Sequence, residues 1–221
     1  MIRAIVFTII EALLFGVCLF GAAGKFLWPM AWAVLGIYFL LKVIGLAFLD
    51  PNLIRERVAP GPGIDRIDVV LASLGCLALY PATFVVAGLD AVRFGPALPI
   101  SQSIQIFALF IYALGYGFAY WAIQSNPFFS SVVRIQEDRG HSVISSGPYA
   151  LIRHPGYAGV LVAHLFLPLA LDSVWALVPT ALGVLIFVAR TVREDQTLQE
   201  HLVGYREYQD RIRWRLLPYI W

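Results

Sequence analysis

The sequence predicts an all-α, multi-pass integral membrane protein with about six membrane helices, the last two a short hairpin, and an interfacial helix on the cytoplasmic side near the C-terminus. Three observations predict it. Mean hydropathy is +0.77, with 60% apolar and only 14% charged residues, against roughly 25% charged in soluble domains. Apolar runs near the ~20 residues that span a bilayer as a helix recur along the chain. The basic residues gather in alternate connections.

The spans fall at about Ala4–Ala23, Pro29–Leu49, Ile67–Leu89 and Ser103–Ile123, followed by a shorter pair, Gly156–Leu171 and Ser173–Ala189, broken at Asp172. The first is read as a retained helix and not as a cleaved leader, since it has a single Arg3 ahead of it and no small-residue cleavage site before a soluble domain. Six crossings put thirteen arginines on the side of both termini and leave Lys25 and Arg93 on the other. Five crossings would divide the charges seven against eight, so the bias of basic residues toward the cytoplasm favours six, with both termini cytoplasmic. Residues 1–123 form the four-helix N-terminal part, and residues 124–221 the C-terminal region that carries the site, within one structural unit.

Two charges lie inside spans. Glu11 and Lys42 are each about seven residues from the cytoplasmic ends of the first two helices, hence at similar depth, where they could pair with each other or each separately face a wet cleft or snorkel to the interface. Cys18 and Cys76 sit in apolar runs as small hydrophobes, which suggests neither a disulfide nor a metal site. A net charge of +2 without a Lys/Arg-rich run gives no reason to expect nucleic acid as a partner.

Outside the membrane, Asp50–Asp65 reads as a solvated Pro/Gly-rich connector. Val132–Gln136 and His141–Ile144 read as two β-prone runs around a Glu137–Gly140 turn, a small hairpin or flap over the cytoplasmic end. From Thr191 the spacing of Leu198, Leu202, Tyr205, Ile212 and Leu216 predicts a helix that continues out of the last span and is interrupted near Gly204. The closing Trp214, Tyr219 and Trp221 suit the headgroup level.

The stretch "GPYALIRHPGYAG", Gly147–Gly159, concentrates polar and aromatic residues where a span begins. Pro155 suits the first helical position, so Arg153, His154 and Tyr157 cluster at a helix start whose free N–H groups favour an anionic ligand. A helix-entry device with headgroup contacts would use the same residues. Arg190, Arg193, Glu194 and Asp195 leave the last span at the same level, and the Asp172 hairpin makes the two clusters neighbours. Arg190 and Glu194 could also pair with each other at i,i+4. No Gly-rich loop between a strand and a helix points to a soluble dinucleotide fold.

These two stretches, with "RTVREDQTLQEHLVGYREYQ" leading to the end of the chain, resemble the isoprenylcysteine carboxyl methyltransferase family and, more widely, membrane phospholipid N-methyltransferases. The resemblance implies an S-adenosylmethionine-dependent enzyme with a cytoplasmic cofactor pocket and a lipophilic acceptor, without a metal. It assigns Arg153, His154, Pro155, Tyr157 and Gly159, with Tyr149 in the same stretch, to the cofactor. Glu194 and Asp195 match the family's Glu-Glu pair, Asp195 being the shorter residue. Arg190 matches a substrate-facing arginine and, with Arg153, stands as the expected catalytic group. Tyr205 and Tyr208 match tail tyrosines that wall the pocket. An ionised carboxylate needs no base to accept a methyl group, whereas an amine does, so the arginines favour O-methylation, with N-methylation second. Membrane sterol and enone reductases resemble the same C-terminal fold and would use a nicotinamide cofactor. A transporter is disfavoured because Glu11, Lys42 and His164 are few ionisable groups to line a path.

Overall fold

The computed structural model describes residues 2–221, which form helices and coil with no strand among them. In chain order the helices are α1 (Ile2–Gly21), α2 (Pro29–Phe48), α3 (Pro51–Val58), α4 (Arg66–Arg93), α5 (Gln102–Ser125), α6 (Pro155–Ala170), α7 (Leu177–His201) and α8 (Tyr205–Arg211). Helices α1, α2, α4 and α5 are long and apolar enough to cross a membrane. Exposed Phe7, Ile9, Leu13, Trp32, Leu40, Phe107 and Phe110 give these helices the outward apolar faces that lipid requires. The chain is an integral membrane protein.

Local chemistry sets the helix boundaries. Pro29, Pro51 and Pro155 each stand in the first turn, where a missing N–H costs nothing. Asp50 caps α3 by accepting from the amides of Asn52 (2.6 Å) and Leu53 (3.3 Å), and Asp65 caps α4 through Ile67 (2.8 Å). Pro81 lies inside α4, in a local π-turn at Ala78–Ala82 that widens the helix around the missing donor. There the Thr83 hydroxyl donates to the Ala78 carbonyl at 2.9 Å and reaches Thr180 of α7 at 3.1 Å.

Helix α6 has only 16 residues, yet its hairpin with α7 reaches the far end of the bundle. At that end Asp90 of α4 accepts from the Ser173 hydroxyl (2.7 Å) and the Trp175 amide (3.3 Å). Asp172, at the tip with φ of 58°, accepts from the Ile100 amide at 2.6 Å. The opposite end, called the site end below, holds α3, the Asn126–Ser146 flap, α8 and both chain ends. There Ala4 faces Ile54 and Val58, and the tail carbonyls of Trp214 and Arg215 accept from the amides of Arg153 and His154, both at 2.9 Å.

Two helix contacts place the site. A Cβ on Gly115 would stand 2.7 Å from the Gly159 carbonyl oxygen, and one on Gly159 would stand 2.5 Å from that of Gly115. The backbones of α5 and α6 therefore touch through paired Gly-x-x-x-Ala segments, Gly115–Ala119 and Gly159–Ala163, the small-residue packing common between membrane helices. Helices α4 and α7 interlock similarly, with Phe187 over Gly75 and Leu79 over Gly183. Glu11 pairs with Lys42, one of the two arrangements their similar depth allows, and also accepts from the Tyr38 hydroxyl at 2.8 Å.

Two expectations outside the spans are corrected. Asp50–Asp65 is not merely a solvated connector, because α3 forms within it and buries Glu56 to 5% exposure. The flap is not a β-hairpin: Glu137–Arg139 makes one short 3₁₀ turn ended by left-handed Gly140. Its backbone groups are claimed by other elements. The Val133 amide donates to Asp68 (2.8 Å) and its carbonyl accepts from the Asp65 amide (3.3 Å), while the Phe129 and Ser131 carbonyls accept from Arg57 (3.2 Å) and Arg190 (2.9 Å). The two halves of the flap share one backbone bond, from the His141 amide to the Gln136 carbonyl (3.2 Å), and no ladder extends from it.

The α5–α6 contact gives a direct test. Gly159→Val should destabilise the protein by about 1–3 kcal/mol or more, read as a lowered Tm in detergent. Gly117→Ala on α5, where a Cβ would have nothing within 4 Å, should leave Tm unchanged or slightly raised.

Candidate active site

The carboxylate of Asp195, 1% exposed, organises the site. Arg153 holds it with two bonds, Nε at 2.9 Å and Nη2 at 2.8 Å. Tyr205 donates its hydroxyl at 2.8 Å, Arg215 of the tail donates at 2.9 Å, and His154 Nε2 stands 3.2 Å away. Burial alone would raise this carboxyl, but the bonds from His154 and Arg153 hold it well below the usual carboxylate range. Burial and the adjacent charge push the Tyr205 hydroxyl up, keeping it a neutral donor. Arg153 spends its Nη1 on the carbonyls of Ile212 and Arg213, both at 2.8 Å, and so ties the approach to α6 to the tail.

In front of this buried network lies a cavity of about 90 Å³. Its floor is the start of α6, with Arg153, His154, Gly156 and Tyr157. Glu194 and Leu198 of α7, Tyr205 and Tyr208 of α8, Tyr149, and the flap from Asn126 to Ile144 complete the wall. The first backbone bond within α6 is from Ala158 to the His154 carbonyl (3.1 Å), which leaves the Gly156 and Tyr157 amides ahead of it without an acceptor. Phe129 packs its ring edge on Gly156 so closely that no Cβ fits there.

Glu194 differs from its neighbour. One oxygen accepts from the Tyr157 hydroxyl at 2.5 Å, and the other has no partner among the described residues. With Asp195 accepting at His154 Nε2, Nδ1 is left as a lone-pair acceptor on a residue that lines the cavity. Tyr149 receives a bond from Asn126 (3.2 Å) at its hydroxyl and one from the Tyr208 hydroxyl (2.7 Å) at its carbonyl. The cavity thus combines an incompletely satisfied carboxylate, two free amides, an imidazole acceptor and flat aromatic walls.

Seven residues singled out from sequence, Tyr149, Arg153, His154, Tyr157, Glu194, Tyr205 and Tyr208, meet at this one cavity. Pro155 is buried at the helix start beneath it. Asp195 stands behind the wall with its oxygens already occupied, and Gly159 faces α5 in the backbone contact described above. Arg190 does not pair with Glu194. It makes a bidentate pair with Asp68 of α4 (2.6 and 3.0 Å), donates to Ser131 O, and lies 5.3 Å over the Tyr157 ring, leaving Nη1 uncommitted.

Sequence reasoning missed three features that hold the wall: a buried acid, an ion pair and a histidine. Asp68 is 1% exposed and binds both Arg190 and the flap amide of Val133. Its visible signal is an acid in the first turn of an apolar span. Glu56 and Arg134 form a bidentate pair (2.7 and 2.8 Å) that fastens the flap to α3, and Asp138 accepts from the same guanidinium at 2.8 Å. Burial notwithstanding, the Arg134 bonds keep Glu56 below its ordinary value. His141 is the third, lining the cavity with its ring 4.6 Å from that of Phe128.

Residues 107–200 match the sequence profile of the isoprenylcysteine carboxyl methyltransferase (ICMT) family. Over this stretch, somewhat under half of the chain, the protein is similar to that family. The ICMT region takes in most of α5, the flap, α6 and nearly all of α7, including every site residue from Tyr149 to Asp195, and stops short of Tyr205 and Tyr208. Two curated relatives are more distant. The Delta(14)-sterol reductase TM7SF2 of Mus musculus is 29% identical over 100 residues, 44% of this chain and 24% of that protein. The Lamin-B receptor of Drosophila melanogaster is 26% identical over 167 residues, 66% of this chain and 22% of that protein. The chain spans about a quarter of the length of either.

Two predictions separate holding from binding. Asp195→Ala should cost about 3–5 kcal/mol by leaving buried arginine charge unmatched, while Glu194→Gln, one residue away, should cost no more than about 1–2 kcal/mol. Thermal unfolding in detergent reads both. For His141, burial and the charges of Arg134 and Arg139 push the imidazole from 6.5 down to about 4. The unfolded chain then binds a proton through that window that the folded chain refuses, so stability should fall as pH drops from 6.5 to 4. His141→Gln should flatten the upper part of this window in the Tm-against-pH curve, at about pH 5.5–6.5, which lies above the range where ordinary carboxylates titrate.

Proposed function

We propose that the protein is an integral membrane methyltransferase that uses S-adenosylmethionine to methylate a lipophilic acceptor, with a carboxylate, such as a prenylcysteine C-terminus, as the accepting group. One observation carries the reading: in the region that matches the ICMT family, the start of α6 meets Glu194 of α7 in a cavity whose polar groups are unspent. The donor set fits this cofactor. Free amides at Gly156 and Tyr157 suit its carboxylate, the unpartnered Glu194 oxygen suits an ammonium or a ribose hydroxyl, and Phe128, Tyr149, Tyr205 and Tyr208 suit a flat base. When bound, the sulfonium supplies a methyl carbon that is already electrophilic.

The chain's residues then have to orient the acceptor and exclude water, and proximity of this kind is worth roughly 7–11 kcal/mol. A carboxylate acceptor arrives already ionised and would need only to be held in line with the methyl carbon by the chain's residues. No proton moves, so no base is needed. Arg190, braced by Asp68, keeps Nη1 for the acceptor, and Arg153 acts by fixing the start of α6. An amine acceptor would need a base, for which His154 Nδ1 or Glu194 is available. The thirteen-to-two division of basic residues supports a cytoplasmic site end with both termini there.

A second reading, an NADPH-dependent sterol or enone reductase, is favoured by the similarity to the Delta(14)-sterol reductase. Ligand stabilisation separates the two. S-adenosylhomocysteine at a hundredfold excess over its Kd should stabilise the protein by about 2.7 kcal/mol, Glu194→Ala should remove that shift, and NADPH should give none. With labelled S-adenosylmethionine and a prenylcysteine, the label should be released as methanol by mild base; base-stable label in lipid would turn the reading to N-methylation. Stabilisation by NADPH alone would replace it with the reductase.

A further inference from the structure

A second pocket opens at the site end toward the lipid-facing surface. It measures about 220 Å³ and lies between α1, α2 and α3, with Phe7, Leu46, Leu49 and Val58 as apolar walls and Lys42 and Arg57 as its cations. The two cations are not equivalent. Lys42 is neutralised by Glu11. Arg57 has no carboxylate partner among the ion pairs of the described residues. It gives one Nη1 bond to the Phe129 carbonyl (3.2 Å), lies 5.3 Å over the Phe129 ring, and keeps Nε and Nη2 uncommitted. The edge of that ring packs on Gly156, and Phe129 lines the cavity at the start of α6. Phe129 therefore links Arg57, the uncompensated cation of the apolar pocket, to the cavity assigned to the cofactor.

We propose that this pocket admits the acceptor, a single-chain amphiphile ending in a carboxylate, and that Arg57 is the group that selects its charge. The inference rests on the methyl-transfer reading for its purpose. Charge complementarity supports it: with Glu11 matched to Lys42, the pocket has one unmatched positive charge, which attracts a carboxylate and repels an ammonium headgroup. Arg190 cannot supply the same selection, since Asp68 already cancels its charge. The two pockets divide the task. The soluble cofactor enters beside α8 and the flap, and the acceptor's chain lies among the apolar side chains of α1 and α2 with its head at Phe129.

The test uses the full chain in detergent, with N-acetylated farnesylcysteine and its uncharged carboxamide as probes, and reads binding by thermal shift. Wild type should bind the acid about tenfold or more tightly than the amide. Arg57→Ala should abolish that preference while retaining the amide's affinity and the shift given by S-adenosylhomocysteine, and Arg57→Lys should restore part of it. Leu46→Trp, which fills the pocket without altering charge, should weaken both probes alike. Equal binding of acid and amide by wild type, or an acid preference that survives Arg57→Ala, overturns the assignment. Methyl transfer is followed in parallel: if Arg57 governs acid binding while no carboxylate is methylated, the proposed reaction fails and the binding site stands.

Discussion

The site depends on the burial of one carboxylate. Asp195 loses nearly all contact with solvent, which is tolerable only if donors surround it. They come from three places in the chain: Arg153 and His154 before α6, Tyr205 at the start of α8, and Arg215 in the tail. Each bond does geometric work. Together they fix the direction in which α6 begins, hold the His154 ring so that Nδ1 is the free acceptor, and fold the tail back under the helix start. The cavity exists because these elements are gathered behind it.

The same device appears twice more at the rim. Asp68 takes Arg190 and a flap amide, and Glu56 takes Arg134 and the Ser130 hydroxyl. In each, a buried acid and a bidentate arginine join segments distant in sequence, with further bonds to main chain or hydroxyl completing the shell. The flap consequently keeps its shape without a strand ladder. Among these acids Glu194 stands out, because its single partner, the Tyr157 hydroxyl, leaves one oxygen unmatched at the cavity. Where saturation is the rule, the unsaturated group is the one available to a ligand.

The sequence made the spans legible because twenty-residue apolar runs have few other uses, and it made the helix start at Pro155 legible because Arg-His-Pro-Gly has a strong local meaning. Similar depth allowed the Glu11–Lys42 pair without deciding between it and two separately solvated charges. What escaped was everything set by partners far apart in the chain. Arg190 looked like a partner for Glu194 at i,i+4, but Asp68, 122 residues away, takes it. Gly159 looked like part of the cofactor cradle because it closes the motif, yet one helical turn beyond Gly156 is enough to face α5 instead. Val132–Gln136 has the residues of a strand, yet the Val133 amide and carbonyl went to Asp68 and Asp65 at the start of α4. Local pattern described elements well and pairing poorly.

The two ends of the bundle argue for where chemistry belongs. At the far end Asp90, Asp172 and Arg93 are buried or bonded too, but apart from the Ser173 hydroxyl on Asp90 they bind main chain: Asp90 the Ala97 and Trp175 amides, Asp172 that of Ile100, and Arg93 the carbonyls of Gly21 and Ala22. Those contacts close loops and leave no cluster of spare groups. At the site end the arginines at 153, 190 and 134 also serve structure, and yet Glu194, His154 and the first amides of α6 remain open beside an apolar approach through α1 and α2. A protein needing only anchorage in the membrane would have matched these groups as it matched those at the far end, so their joint exposure to one cavity is the mark of a ligand.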